Sequence, residues 1–338
     1  MTNKTNITKL LDDPDYFSGL FNQKIKSIDP SAEKVLFHQL FFIKRHVAED
    51  FFHYVVEHRL TIELENKLKR RFRVYTISFS DHGRRKMYTA MELIYRQGFS
   101  SGAVVIPQPL WYEEEIMALF YLGIPGDTML EHLKNGQFDR PNIKKISQGL
   151  KRLHTINYPK DVFNIHDFSL VYLDPTNVLN RQHNITDPLR DRVYKQLAEL
   201  KKIKDQLIIE KNILSHGDFH PENVIVNRFE NDKLAFIDFS EVCLAPKYYD
   251  AASFLMQLEL MSQGYLDKKD YDNVENIFLK NYFGLACKKQ NTQNKINLYK
   301  AWTALKNAVF SMIFIEEHNR HYASYLIDLS ERLSQKIK

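Results

Sequence analysis

The spacing of apolar residues changes character near residue 126. Before it, residues 31–57 (SAEKVLFHQLFFIKRHVAEDFFHYVVE) carry Val35, Leu36, Leu40, Phe41, Val47, Phe51, Phe52 and Val55 at helical intervals, which predicts one or two amphipathic helices. In residues 60–80, Tyr75, Ile77 and Phe79 alternate with Thr76 and Ser78, so two strands are expected with a turn near ENKLKR. Met87, Met91, Ile94 and Tyr95 share one face of a helix expected over 84–97, and further strands are expected around 103–106 and 116–122. The pair Pro125-Gly126 breaks the pattern. Beyond it, TMLEHLKNG, IKKISQGLKRLHTI and DPLRDRVYKQLAELKKIKDQLI all repeat every 3.6 residues, as do residues 250–285 and 294–336. The pattern predicts an α+β chain: a small strand-rich half over 1–123 and a large helical half over 124–338.

Composition narrows the class. Charged residues are 26% and hydrophobic residues 44%, which is globular rather than disordered. The net charge of +5 suits an anionic small ligand and is too small to argue for nucleic acid. Cys243 and Cys287 have no paired spacing, so neither a disulfide framework nor a zinc site is expected. No run of 18 apolar residues occurs, so no membrane partner is expected, and a cytoplasmic setting follows from the unpaired cysteines and the polar N-terminus.

Two short segments carry the chemistry. SHGDFHPENVIV, residues 215–226, places Asp218 and then Asn223 ahead of a strand-like VIV; LAFID, a second strand, runs into Asp238. A hairpin returns its far end to its start, which would bring Asp238 back towards Asn223. A carboxylate and an amide carbonyl are hard oxygen ligands suited to Mg²⁺, which keeps most of its shell for water and phosphate oxygens. A second carboxylate, outside that shell, can accept a proton from an attacking hydroxyl. Base, Asn and metal-binding Asp in that order is the arrangement for phosphoryl transfer from ATP.

HGDFHPEN followed by IDFSE resembles the aminoglycoside phosphotransferase and choline kinase family, which reads H-G-D-x-x-x-x-N and then I-D-x-x-D/E. The resemblance implies a protein-kinase-like two-lobed fold, with a small antiparallel-sheet N-lobe and a large helical C-lobe. It also implies ATP and Mg²⁺ as cofactors and a small-molecule hydroxyl as acceptor. Asp218 matches the catalytic Asp, and Asn223 and Asp238 match the magnesium ligands. Glu241 matches the last acidic position, an outer-shell partner of metal or water. His216 and Asp250 match residues that brace the catalytic loop, and His154 matches a core His of the following helix. LFYLGIPGDTM resembles the hinge strand, where backbone groups of Leu122 and Ile124 would meet adenine.

The resemblance is incomplete at the triphosphate. No glycine lies between Gly19 and Gly83, so no Gly-rich cover forms on the first hairpin, and Thr76 or Ser78 stands where the family places a strand Lys. The cationic turn holding Lys67, Lys69, Arg70 and Arg71 is one substitute; Lys86, in a different registry, is another. Glu92, the usual partner of the strand Lys, would then pair with an Arg. A protein kinase is disfavoured because Gly217 stands for Arg and DFS for D-F-G. The alternative is a catalytically weak or inactive nucleotide-binding module, favoured by the missing Lys and opposed by the intact Asp218, Asn223 and Asp238. For a cationic acceptor, Glu259, Glu316 and Glu317 offer charge and Tyr265 and Trp302 offer stacking; a neutral sugar or an amino alcohol fits as well.

Overall fold

The computed structural model describes residues 2–48, 51–80, 83–137, 140–159, 161–170, 188–229, 233–314 and 320–338. Glu316 and Glu317 lie outside them. The chain divides into two units: residues 1–127 with 225–242, and residues 128–224 with 243–338.

The first unit opens with helices α1 (Thr2–Leu11) and α2 (Pro14–Ile28). Asp13 caps α2 by accepting from the Asp15 amide, and Pro14 supplies the fixed φ of a first helical turn. Phe17, Leu20, Phe21, Ile25 and Ile28 form the buried stripe of α2. They pack in one core with Phe52, Tyr54, Val56, Leu60 and Ile62, alternate residues of β2 (Phe52–Leu64). An antiparallel sheet of order β1-β2-β3-β6-β5 carries this core, with β1 at Ala32–Val47, β3 at Lys69–Phe79, β5 at Pro109–Glu113 and β6 at Ala118–Leu122. Helix α3 (Gly83–Ile94) follows β3 as its periodicity predicts.

The helices expected over 31–57 are corrected by the structure: residues 32–47 are strand β1, and Phe52 already belongs to β2. The helical spacing was an artefact of irregular pairing. The β1–β2 register slips between Ala32 and Lys34, between Val35 and Phe37, and between Phe42 and Lys44. Each inserted residue resets the two-residue alternation, so the apolar positions drift into intervals of three and four. β1 is also an edge strand, and Phe37, Phe42 and Ile43 are exposed on it, which blurs the pattern further. β5 went unanticipated because Pro109 opens it and only five residues compose it.

A second sheet, of order β4-β10-β9-β7, joins Val104–Val105 (β4), Leu234–Phe236 (β10), Val224–Asn227 (β9) and Gly126–Thr128 (β7). At its edge Gly126 has φ +155, and a Cβ there would stand 2.1 Å from the Val226 carbonyl, so no other residue fits.

The second unit is helical: α4 (Met129–Lys134), α5 (Arg140–Leu153), α6 (Pro188–Leu207), α7 (Tyr249–Met261), α8 (Lys268–Phe283), α9 (Gln290–Phe314) and α10 (Arg320–Gln335). A Thr128–Glu131 capping box starts α4. α7 is buried on nearly every face, including Asp250, so it forms the centre on which the other helices pack. One short ladder, β8 (Ile213–Ser215) against β11 (Cys243–Ala245), completes the unit. Among the described residues no helix is long and apolar enough to cross a membrane.

Candidate active site

In the helical unit, β8 delivers the chain to His216 and Gly217. Gly217 has φ +90, a turn that side-chain-bearing residues resist, and it sends the backbone sharply into the loop. Asp250, in the first turn of α7, holds that turn: Oδ2 accepts from the His216 amide at 2.7 Å and Oδ1 from the Gly217 amide at 3.0 Å. The same Oδ2 receives His154 Nε2 at 2.8 Å, and His154 Nδ1 meets the Tyr282 hydroxyl. Asp250 is fully buried, which raises its pKa, but His154, His216 and the Gly217 amide outweigh burial and keep it a carboxylate. Tyr249 donates to the Gly217 carbonyl at 2.8 Å, so neighbouring residues of one helix pin both sides of the turn.

The loop runs on through Phe219, packed on Phe254 with ring centroids 5.2 Å apart, into a single 3₁₀ turn, Pro221–Asn223. Asn223 folds back and donates from Nδ2 to the Asp218 carbonyl at 2.9 Å. His220 Nε2 lies 3.0 Å from Asn223 Nδ2 and 3.3 Å from Asp218 Oδ2. It accepts from the amide in one tautomer and donates to the carboxylate in the other. Asp218 and Asn223 are therefore together on one braced loop.

Burial by itself would raise the Asp218 pKa. Lys306, whose Nζ is 3.2 Å from Oδ1, and His220 outweigh it and hold the group well below the usual carboxylate range. Asp218 is thus ionised at any physiological pH. It can accept and orient a hydroxyl proton, but its proton affinity is low, so orientation is its main chemical capacity. Lys306 was missed at the sequence level. It lies in TALKNAV on α9, where Ala304, Leu305, Ala308 and Val309 are all buried; a lone cation in so apolar a helical run was the available signal.

In the sheet-bearing unit, Asp238 follows β10 with φ +60, a left-handed conformation that Asp tolerates when its carboxylate bonds the local backbone. Its Oδ1 accepts from the Ser240 amide at 3.3 Å, and its side chain is exposed. Its field reaches two groups of the same unit: half-buried Tyr121, whose pKa is raised by desolvation first and by Asp238 second, and His53. Burial, Arg84 and Lys44 bring His53 down to about 4, while Asp238 opposes them. Glu241 is exposed three residues further on.

The Leu122 amide already donates to Gln108 O at 2.9 Å and the Gly123 amide to Arg73 O at 2.8 Å. Ile124 is the next residue, and among the described residues nothing takes its amide. Lys67 sits in the β2–β3 turn with φ +63, its ammonium 2.6 Å from Glu33 and 3.5 Å from Glu63; Lys69 begins β3 and is exposed. Thr76 and Ser78 are buried and bonded to His58 and to Ile116 O, and Glu92 of α3 pairs at 2.6 Å with Arg96, four residues on and just past the helix. Glu259 lies 3.5 Å from Lys268, Tyr265 is exposed, and Trp302 is buried in the aromatic core of its unit.

Asn223 offers the kind of oxygen that a hard divalent cation takes. Asn223 spends its amide nitrogen inside the loop, and its carbonyl oxygen has no partner among the described residues.

A family model described as "Phosphotransferase enzyme family" matches residues 65–269. No curated protein matches the chain in sequence. Among solved structures, the ethanolamine kinase of Plasmodium vivax aligns with TM-score 0.63 at 12% identity, over 95% of this chain and 90% of that one. The choline kinase LicA from Streptococcus pneumoniae aligns with TM-score 0.57 at 14% identity, over 95% and 99%. A thermostable mutant of aminoglycoside phosphotransferase APH(4)-Ia, in ternary complex with AMP-PNP and hygromycin B, aligns with TM-score 0.58 at 15% identity, over 93% and 97%. At these identities the likeness is one of fold.

Proposed function

The chain belongs to the phosphotransferase enzyme family, and from that premise we propose that it moves the γ-phosphate of ATP, with Mg²⁺, to a hydroxyl of a small molecule. The observation that carries the reading is the state of Asp218: an ionised carboxylate on a loop whose backbone is held by a buried Asp250 and whose next turn is tied back by Asn223. That is costly architecture for a merely structural residue. A charge held half-buried and next to a lysine has its best use in gripping a substrate proton.

Each residue has a role in this reading. Asp218 accepts the hydrogen bond of the acceptor hydroxyl and aims its oxygen. Asn223 and Asp238 would be the magnesium ligands, and Glu241 an outer-shell partner. When bound, the cation would neutralise phosphate charge, which together with positioning makes up phosphoryl-transfer catalysis. Ile124 and the carbonyl side of Leu122 meet the adenine. The turn bearing Lys67 and Lys69 stands in for the strand Lys. His216 and Asp250 keep the loop in shape. Structurally similar phosphotransferases have been solved with ADP and with AMP-PNP, which favours a nucleotide donor.

The test is ATP turnover with Mg²⁺ across a library of hydroxyl compounds. Asp218→Asn is expected to lower kcat by about 10²–10⁴-fold, and Asp238→Ala to abolish magnesium-dependent transfer with the fold intact by circular dichroism. Retained transfer in Asp238→Ala removes that residue from its role. Nucleotide binding without turnover of any compound would favour a non-catalytic module.

A further inference from the structure

Resting on the kinase reading, the next question is the charge of the acceptor, and the helical unit speaks to it. Both oxygens of Asp218 are met by nitrogen: Lys306 Nζ at 3.2 Å from Oδ1 and His220 Nε2 at 3.3 Å from Oδ2. One helical turn before Lys306 lies Trp302, whose indole N–H is buried with no hydrogen-bond partner among the described residues. His166 links this wall to the loop. Its ring stacks on Tyr249 at 4.1 Å and lies 5.8 Å from Trp302, and Tyr249 is bonded to Gly217. An ammonium is a donor only, and the Trp302 indole, buried in the core behind it, supplies no acceptor. Of the acidic groups named for a cationic acceptor, Glu259 is paired with Lys268, and Glu316 and Glu317 lie outside the described residues.

We propose that Lys306 makes this acceptor site selective for hydroxyl compounds that carry an oxyanion, carboxylate or phosphate, and turns away those whose hydroxyl adjoins an ammonium. The physical ground is matching. Donor-only groups are satisfied by lone pairs, and a ligand ammonium brought beside Asp218 would meet the Lys306 charge as well as the carboxylate. An anionic group on the acceptor bridges to Lys306 while the hydroxyl keeps Asp218, so one lysine selects the charge and sets the distance of the reacting oxygen from it.

The experiment uses the full chain with ATP and Mg²⁺ and compares glycerate, glycerol 3-phosphate, glycerol, ethanolamine and choline. Transfer is read as ADP release, and binding of each compound by calorimetry. The wild type is expected to favour glycerate or glycerol 3-phosphate over ethanolamine by on the order of 100-fold in kcat/KM. Preference for one of the two anions tells carboxylate from phosphate. Lys306→Met should collapse that ratio chiefly through KM for the anion, and Lys306→Arg should restore most of it, provided thermal melts show all three proteins folded. Preferred transfer to ethanolamine or choline overturns the proposal while leaving the kinase reading intact. So does a ratio unchanged in Lys306→Met. Anion binding lost in Lys306→Met, with no phosphate transferred to any compound, upholds the charge selectivity and overturns the kinase reading instead. Binding of neither class overturns the proposal.

Discussion

In the sheet-bearing unit one run of polar groups crosses the interior as an uncharged chain; the helical unit sets several ion pairs in its interior beside neutral groups. The chain starts at Ser18, which donates to Pro14 O at 2.9 Å, so its oxygen must accept from His38 Nδ1, also at 2.9 Å. His38 Nε2 is then a lone pair and accepts from His58 Nδ1 at 3.0 Å, and His58 Nε2 in turn accepts from the Thr76 hydroxyl at 2.9 Å. One proton per ring satisfies every contact, and the run crosses α2, β1, β2 and β3. The helical unit instead buries Asp250 against His154, joins Lys300 to Glu275 and Lys295 to Glu210, and sets Lys306 on Asp218. A neutral chain fixes the register of a sheet without concentrating field. Ion pairs leave strong fields standing beside the loop that would do chemistry. The contrast separates a platform from a reactive surface.

The largest effect expected from this contrast is at Asp250. Asp250→Ala strips the acceptor from two backbone amides and leaves His154 buried without its partner, so it should cost about 3–5 kcal/mol. The measurement is the shift of the urea midpoint, with Asp250→Asn as the milder companion. A loss under about 1 kcal/mol would mean that the loop is held by packing and that the buried ions are incidental.

That dependence is also where the sequence was most legible. His216, Gly217, Asp218, Asn223 and Asp250 are close enough along the chain, or marked enough by type, for their pattern to be read directly. The alternation of Tyr75, Ile77 and Phe79 likewise announced β3, because a central strand with unbroken register keeps its period. β1 mimics a helix in its apolar spacing because three register slips destroy that period. Lys306 was invisible for a different reason: it meets Asp218 across 88 residues of chain, and no local spacing encodes such a contact. His38 and His58 look like ordinary polar strand positions until β1 and β2 are paired.

The next effect concerns protons. Burial lowers the pKa of His38 and lowers that of His58 far below its ordinary value of 6.5. The unfolded chain therefore binds more protons than the folded one just below pH 6.5. Stability is full above that pH and falls as the pH drops through the window beneath it, approaching about 1.4 kcal/mol per pH unit for each ring. His53 and His166, both brought down to about 4, add in the same direction. Asp218 and Asp250, both held below the ordinary carboxylate range, contribute only in stronger acid. Chemical denaturation at pH 7.5, 6.5 and 5.5 reads the slope, and His58→Gln, neutral throughout, should make it shallower. A flat profile between pH 6.5 and 5.5 would show that the rings accept protons in place and that the chain is not neutral.

The smallest effect tests the surface against both interiors. Lys67 makes two ion pairs, with Glu33 at 2.6 Å and Glu63 at 3.5 Å, yet its side chain is 67% exposed. Water screens such pairs, and ordering the long side chain costs entropy, so Lys67→Ala should leave stability close to that of the wild type. A pair held so weakly can exchange partners: the ammonium can leave Glu33 for a triphosphate at little cost. If the cationic turn serves the nucleotide, the double variant Lys67→Ala with Lys69→Ala should raise KM for ATP several-fold while its melting temperature stays near that of the wild type. A stability loss like that of Asp250→Ala would place Lys67 with the buried ions of the helical unit and break the distinction drawn here. An unchanged KM would leave the turn a solvated hairpin end and turn attention to Arg84, whose Nε is buried without a partner among the described residues and whose charge, like that of Asp238, bears on His53.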